Sequence, residues 1–369
     1  MPQLDLTKLK VLPLSQRRSL TTVDEVLKSP ENPPAPLPAT TQDTIDEAAA
    51  RIIEARKNDR AVILMYGAHL LRNGASLTLA QMMRREWLTH LATNGAGTIH
   101  DWEYSWFGKS TESVEQNVAA GTFGSWEETG RYIHTALHAG AVEGLGYGES
   151  LGKFIAENGA NLPAQSELRS RITTNPDHPF AGAWADLLCA QSRGDLPEGR
   201  VELEHRWKQA SILAQAYLHK IPLTVHPGIG YDIISNHPLF HGGVIGRTAA
   251  TDFRKFCGSV ENLDGGVVLS VGSAIMAPQV FEKSLSCVHN LRFQAGRPSV
   301  SGHTIYVVDL QDGGGWNWRH GEPPKTNPAY YLRFCKSFSR MGGEMQYLQC
   351  DNFTFIHSLW HALQRTTAP

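Results

Sequence analysis

Residues 93–97, Thr93-Asn94-Gly95-Ala96-Gly97, follow the apolar run 88–92 and precede a candidate helix. Small residues at such a turn let the backbone bend sharply and approach another group closely. A strand, a small-residue turn and a helix N-terminus form the usual seat of a nucleotide in an α/β sheet, and Asp101 is placed to meet a polar ligand there. The same pattern also serves as a tight strand–helix connection with no ligand. Farther on, His226, Asp232, His237 and His241 crowd into one short stretch, and His357 with His361 has i, i+4 spacing. Histidine exchanges a proton near neutral pH or ligates metal. No carboxylate completes an HExxH pattern, so no metal is expected. Read from its neighbours alone, His237 before Pro238 is an ordinary cap or surface residue. The run Gly144-Leu145-Gly146-Tyr147-Gly148 lacks a preceding strand and is not read as a dinucleotide fingerprint.

These residues need a scaffold, and the hydrophobic pattern supplies one. Residues 61–65, AVILM, read as a fully buried strand of the kind found inside parallel sheets. Helical periodicity runs over 44–57, with Thr44 as N-cap, and over 77–87, 113–119, 125–139 and 151–158. Residues 160–182 are turn-rich and read as a surface excursion, and 201–219 as one long amphipathic helix feeding a strand at 221–225. Helix 248–257, strand 266–271, helix 277–289, strand 304–310, helix 327–341, strand 346–349 and helix 353–363 complete the series. Such alternation predicts a doubly wound, mostly parallel Rossmann-like α/β sheet with helices on both faces. Ligands of such sheets gather beyond the carboxyl ends of the strands. Gly67, His69, residues 93–97, His226 to Asp232, Gly272, Ser273, Asp309 and Asp351 fall at that edge. Helix capping is the plain alternative for Asp309 and Asp351. Residues 1–43 read as a proline-rich arm running over a surface, and 44–369 as one α/β domain.

From Tyr66 the chain runs YGAHLLRNGASLTLAQMMRREWLTHLATNGAGTIHDWE, and residues 221–237 read IPLTVHPGIGYDIISNH. The first stretch resembles the opening cofactor segment of the deoxyhypusine synthase family, whose second strand ends in Thr-Thr-Ala-Gly-Gly and acidic residues. The second is similar to that family's Ile-Pro, Ser-Pro, Gly-Asp and terminal His pattern. A looser match continues through 265–276 and 305–351. The resemblance implies NAD lying along Thr93, Asn94, Gly95, Ala96, Gly97 and Asp101, with Asp232, Gly272, Ser273, Asp309 and Asp351 in the same pocket. It implies His237 as the acid/base beside Asp232, His226 and Tyr330 as substrate contacts, and a homotetramer with pockets at subunit interfaces. The departures are chemical. Met276 stands where the family's imine-forming lysine should be, and a thioether cannot form an imine. Lys283 lies about two helical turns on. Lys325 and Thr326 replace acids that grip a polyamine.

Composition excludes several classes. A net charge of −2 and a pI near 6.8 give no basic field for nucleic acid. No apolar run has the length of a membrane span, and the first residues show no signal-peptide pattern. The five cysteines are scattered without a CxxC pair, as in a reduced cytoplasmic protein. The expected function is an NAD-binding enzyme, a transferase or oxidoreductase, acting on a small amine or related substrate without a lysine imine. The alternative is a non-catalytic or regulatory nucleotide-binding protein. The third reading is a true synthase modifying a translation-factor lysine. Trp316-Asn317-Trp318-Arg319-His320, after three glycines, reads as a lid or subunit contact, or else as a flexible loop.

Overall fold

Six short, largely apolar runs pair side by side as parallel strands. They are β1 (Val62–Tyr66), β2 (His90–Thr93), β3 (Leu223–Val225), β4 (Val267–Val271), β5 (Thr304–Asp309) and β6 (Glu344–Gln349). The computed structural model describes residues 3–367. Every residue of β1 to β4 is buried, as strands covered on both faces must be. Across the sheet the order is β3-β2-β1-β4-β5-β6, with every neighbouring pair parallel. The doubly wound α/β fold expected from the alternation is therefore present. The order reverses between β1 and β4, where Tyr66 pairs with Val271 at the carboxyl ends.

Contacts divide the described chain into two units. Unit 2 holds this sheet and comprises Leu27–Gly97, Ile221–His226 and the chain from Phe253 onward. One face of its sheet meets Ala39–Lys57 and Asn352–Thr367, which also pack on each other. The other face, through Ile63, Met65, Val268, Ile305 and Val307, shares a core with Phe281 and Leu285 of Met276–Gln294 and with Phe334 and Phe338. Thr44 is not an N-cap: Ala39–Lys57 starts after Pro38, and the Thr44 hydroxyl donates back to Thr40. Residues 327–341 break into a 3-10 turn, Pro328–Tyr331, and a shorter helix, Arg333–Ser339.

Unit 1 comprises the residues up to Val26, Thr98–Lys220 and Pro227–Asp252. Its helices include Glu127–Val142, Tyr147–Ala156, Gln165–Thr174 and Ala181–Ser192. The N-terminal stretch is anchored here. The guanidinium of Arg17 forms a two-pronged buried pair with Glu103, at 2.7 and 2.8 Å, and Glu103 also accepts from Ser110 and Thr129. The long helix expected at 201–219 is not there. Gly199–Glu202 instead pairs antiparallel with Gly159–Leu162, and helix begins only at Ile212. The region 160–182 is correspondingly more regular than a turn-rich excursion. Among the described residues no helix is long and apolar enough to cross a membrane.

Candidate functional site

At the reversal point of unit 2 the backbone is drawn unusually close. A Cβ on Gly67, just past β1, would lie 2.1 Å from the carbonyl oxygen of Gly272, just past β4. Gly272 has φ +60, and a Cβ there would meet the Asn352 amide at 2.3 Å, so both positions require glycine. Thr93 at the end of β2 donates to the Tyr66 carbonyl at 3.0 Å, and the Gly272 N–H donates to Val308 at 3.0 Å. Cys350 N–H donates to the Asp309 carbonyl, which brings Asp351 to the same edge. One continuous rim of unit 2 therefore carries residues 93–97, Gly272, Ser273, Asp309, Asp351 and Asn352.

The turn 93–97 opens the helix Gly95–Phe107, and the Asn94 side chain accepts from the Gly97 N–H at 3.1 Å, capping it. Gly97 serves packing: a Cβ there would sit 2.3 Å from Thr93 Oγ1. The other rim carboxylates are only partly engaged. Asp309 Oδ1 accepts from Gln311 N–H, and Asp351 Oδ1 caps the next helix through the N–H and hydroxyl of Thr354. The second oxygen of each has no partner among the described residues. Ser273 Oγ accepts from Ala277 N–H. Asn352 is 7% exposed, and its Oδ1 is buried without a donor. Sequence reading passed over Asn352 and gave Gly67 no role; a glycine straight after a buried strand was the available signal.

Several expected ligand residues are engaged elsewhere. His226 Nε2 lies 3.1 Å from Thr224 Oγ1 and its ring meets Phe256 edge-on, while burial lowers its pKa to about 4. The ring face of Tyr330 is covered by the Lys336 ammonium, 3.6 Å from its centroid. In unit 1, Asp101 is 3% exposed, and its carboxylate accepts from Ser211 Oγ and the N–H groups of Ile212 and Leu213. It caps Ile212–Leu218, and burial pushes its pKa up to about 6 despite those bonds. Asp232, 4% exposed, accepts from Gly228 N–H at 2.7 Å.

His237, also in unit 1, is 2% exposed. Its Nδ1 accepts from Leu239 N–H, so Nε2 carries the proton and faces Glu127 Oε2 at 3.5 Å. The ring lies over Gly130, where a Cβ would be 2.1 Å from it, and stacks on His134 at 5.8 Å. Burial, followed by Arg131, lowers its pKa to about 4, which leaves it neutral at physiological pH. A second pair, His138 and His241, sits 5.4 Å apart. Among the described residues no three His, Cys, Asp or Glu side chains are grouped to hold a metal ion.

No protein-family model matches the sequence, and no curated protein resembles it. The resemblance to the deoxyhypusine synthase family therefore has no family match behind it. Solved structures of similar fold include AgrE in ternary complex with ornithine and NAD+, at 13% identity and a TM-score of 0.44, covering 90% of this chain and 34% of that one. ArgZ, an arginine dihydrolase from the ornithine–ammonia cycle in Cyanobacteria, matches at 12% identity and 0.41, covering 88% and 33%. A protein named as a conserved putative LOR/SDH protein, from Methanococcus maripaludis S2, matches at 15% and 0.43, covering 97% and 75%. The chain spans about a third of the length of AgrE and ArgZ. Superpositions of that quality, at identities this low, do not carry an activity from one chain to another.

Proposed function

We propose that this protein binds NAD at the rim of unit 2 and acts on a small amine or related substrate without a lysine imine. The observation that carries the reading is the strand order, whose reversal between β1 and β4 is where sheets of this order hold dinucleotides. The residues fit the group. Thr93, Asn94, Gly95, Ala96 and Gly97 offer a helix N-terminus to a pyrophosphate. Gly272 and Ser273 provide a close backbone approach, and the free oxygens of Asp309 and Asp351 suit ribose hydroxyls. The unpartnered Asn352 Oδ1 is a further acceptor at the same edge. NAD, when bound, supplies a hydride acceptor for a carbon beside nitrogen or oxygen.

The chain's own residues set the rest. Met276 is buried at the start of Met276–Gln294, so an amine substrate is not captured covalently there. His237, with Asp232 nearby in the chain, is the proposed acid/base, and it can take a proton only once Nδ1 leaves Leu239 N–H. A homo-oligomer, a tetramer by resemblance, belongs to the same proposal. The second reading, a regulatory nucleotide-binding protein, is favoured by one observation: His237 is buried, neutral and hydrogen-bonded at the nitrogen a base would use.

The test is Ala96→Glu. An acid in the first turn complements the helix dipole, so the fold should hold or gain about 0.3–1 kcal/mol. The same carboxylate would repel a pyrophosphate, and NAD affinity by calorimetry should fall about tenfold or more. A folded Ala96→Glu variant that binds NAD as tightly as the parent refutes the seat.

A further inference from the structure

Away from that rim, and wholly within unit 2, lies a cleft of about 630 Å³ whose walls carry Glu47, Arg51, Trp318, Arg319 and Glu344. Helix Ala39–Lys57, the turn Trp318–His320 and the start of β6 provide these residues. Part of the charge is matched internally. Arg319 Nη2 lies 2.9 Å from both oxygens of Glu47, its Nε forms an ion pair with Glu344 Oε1 at 2.5 Å, and Gln346 also donates to Glu47. Arg51 stands apart. Its Nη2 is 3.8 Å from Glu47 Oε1 and 3.8 Å from Glu344 Oε2, beyond hydrogen-bond reach. Glu344 Oε2 consequently has no hydrogen-bond donor among the described residues. Trp318 is 3% exposed, and its indole N–H has no acceptor. The Tyr306 hydroxyl, on β5 beside Gln346 of β6, is fully buried and also unpartnered. A buried polar group left unpaired costs about 1–3 kcal/mol, which a ligand atom would recover.

We propose that this cleft binds a free α-amino acid as its zwitterion, the carboxylate on Arg51 and the Trp318 N–H and the ammonium on Glu344. Two guanidiniums and two carboxylates sum to zero. A phosphate would meet both carboxylates, and a polyamine both guanidiniums. A molecule carrying both charges on groups bonded to the same carbon satisfies the open donors and the open acceptor together. The volume lies in the range of small-ligand sites. The proposal does not depend on nucleotide binding at the rim.

The full chain would be titrated with the twenty common α-amino acids by calorimetry and thermal shift. The best binder is then retested as its methyl ester and its N-acetyl derivative, each lacking one charge. At least one free amino acid should bind and raise Tm, and both blocked forms should bind about tenfold more weakly or worse, the worth of one charge-assisted hydrogen bond. Trp318→Phe keeps the ring bulk and removes only the N–H, and Arg51→Met keeps the stem and removes the charge. Each should weaken binding about tenfold, with far-UV circular dichroism and NAD titration unchanged. Absence of binding by any amino acid, equal binding of the blocked forms, or binding indifferent to both variants overturns the proposal.

Discussion

Lowering the pH from 7 to 5 is expected to unfold this protein, because it buries an unusual number of neutral histidines. His90, His134, His138, His205, His237 and His303 are each at most 2% exposed. Burial is the largest cause of depression in all six, bringing His90, His134 and His138 to about 3 and His205, His237 and His303 to about 4. Each folded pKa thus lies below the unfolded value of about 6.5. Between those values the unfolded chain takes up protons that the folded chain refuses. The stability is present above about pH 6.5 and is lost as pH falls toward 3–4. At pH 5 each histidine favours unfolding by about 2 kcal/mol more than at pH 7. Six together approach about 12 kcal/mol, comparable with the whole stability of a typical domain at about 5–15 kcal/mol. Four of the six lie in unit 1 and two in unit 2, so unit 1 should lose amide-exchange protection first. Urea melts across pH 7 to 4.5, followed by circular dichroism, would show a steep fall in midpoint with uptake of about six protons. His138→Leu should remove about 2 kcal/mol of the difference between pH 7 and pH 5. A urea midpoint unchanged down to pH 4.5 would refute the reasoning.

Arg17→Ala should destabilise unit 1 by about 3–5 kcal/mol in urea melts, because it strands the buried Glu103 carboxylate. Replacing both partners with apolar residues should cost less than the sum of the single changes. Incubation with labelled spermidine, NAD and an acceptor protein should give no label transfer, since Met276 cannot form an imine and Lys283 is exposed and paired with Glu282. Stoichiometric transfer would mean another lysine takes that step. If a small amine is found to turn over, His237→Ala should slow it about a hundredfold, roughly 3 kcal/mol in the barrier, with NAD affinity little changed. A variant with lower Tm but parental kcat would make His237 a packing residue only.

The parallel sheet was legible because a strand covered on both faces has to be apolar throughout, and residues 61–65 and 267–271 are nearly so. The helix expected over 201–219 shows what that signal omits. Its periodicity is real, but Gly159 and Gly199, with φ +126 and +80, allow an antiparallel ribbon there. The helix starts only where Ser211 caps it from within and Asp101 supplies a second cap from far back in the chain. No local window contains both partners of that cap.

The same fact bears on the site. Asp101 and His237 stood out because a carboxylate after a glycine turn and a histidine after Gly-Tyr-Asp are chemically able groups. Chemical ability is a property of the residue, whereas availability depends on whether its lone pairs and protons are already taken. Asp101 accepts from three donors and His237 accepts a backbone N–H. Asn352 Oδ1, Glu344 Oε2 and Arg51 are common polar groups that no motif marked, and they stay open alongside the second oxygens of Asp309 and Asp351 and the N–H groups of Trp318 and His237. Ligands are therefore better sought at the unit 2 rim and the Arg51 cleft, where hydrogen-bonding capacity remains, than at Asp101, whose carboxylate is already taken.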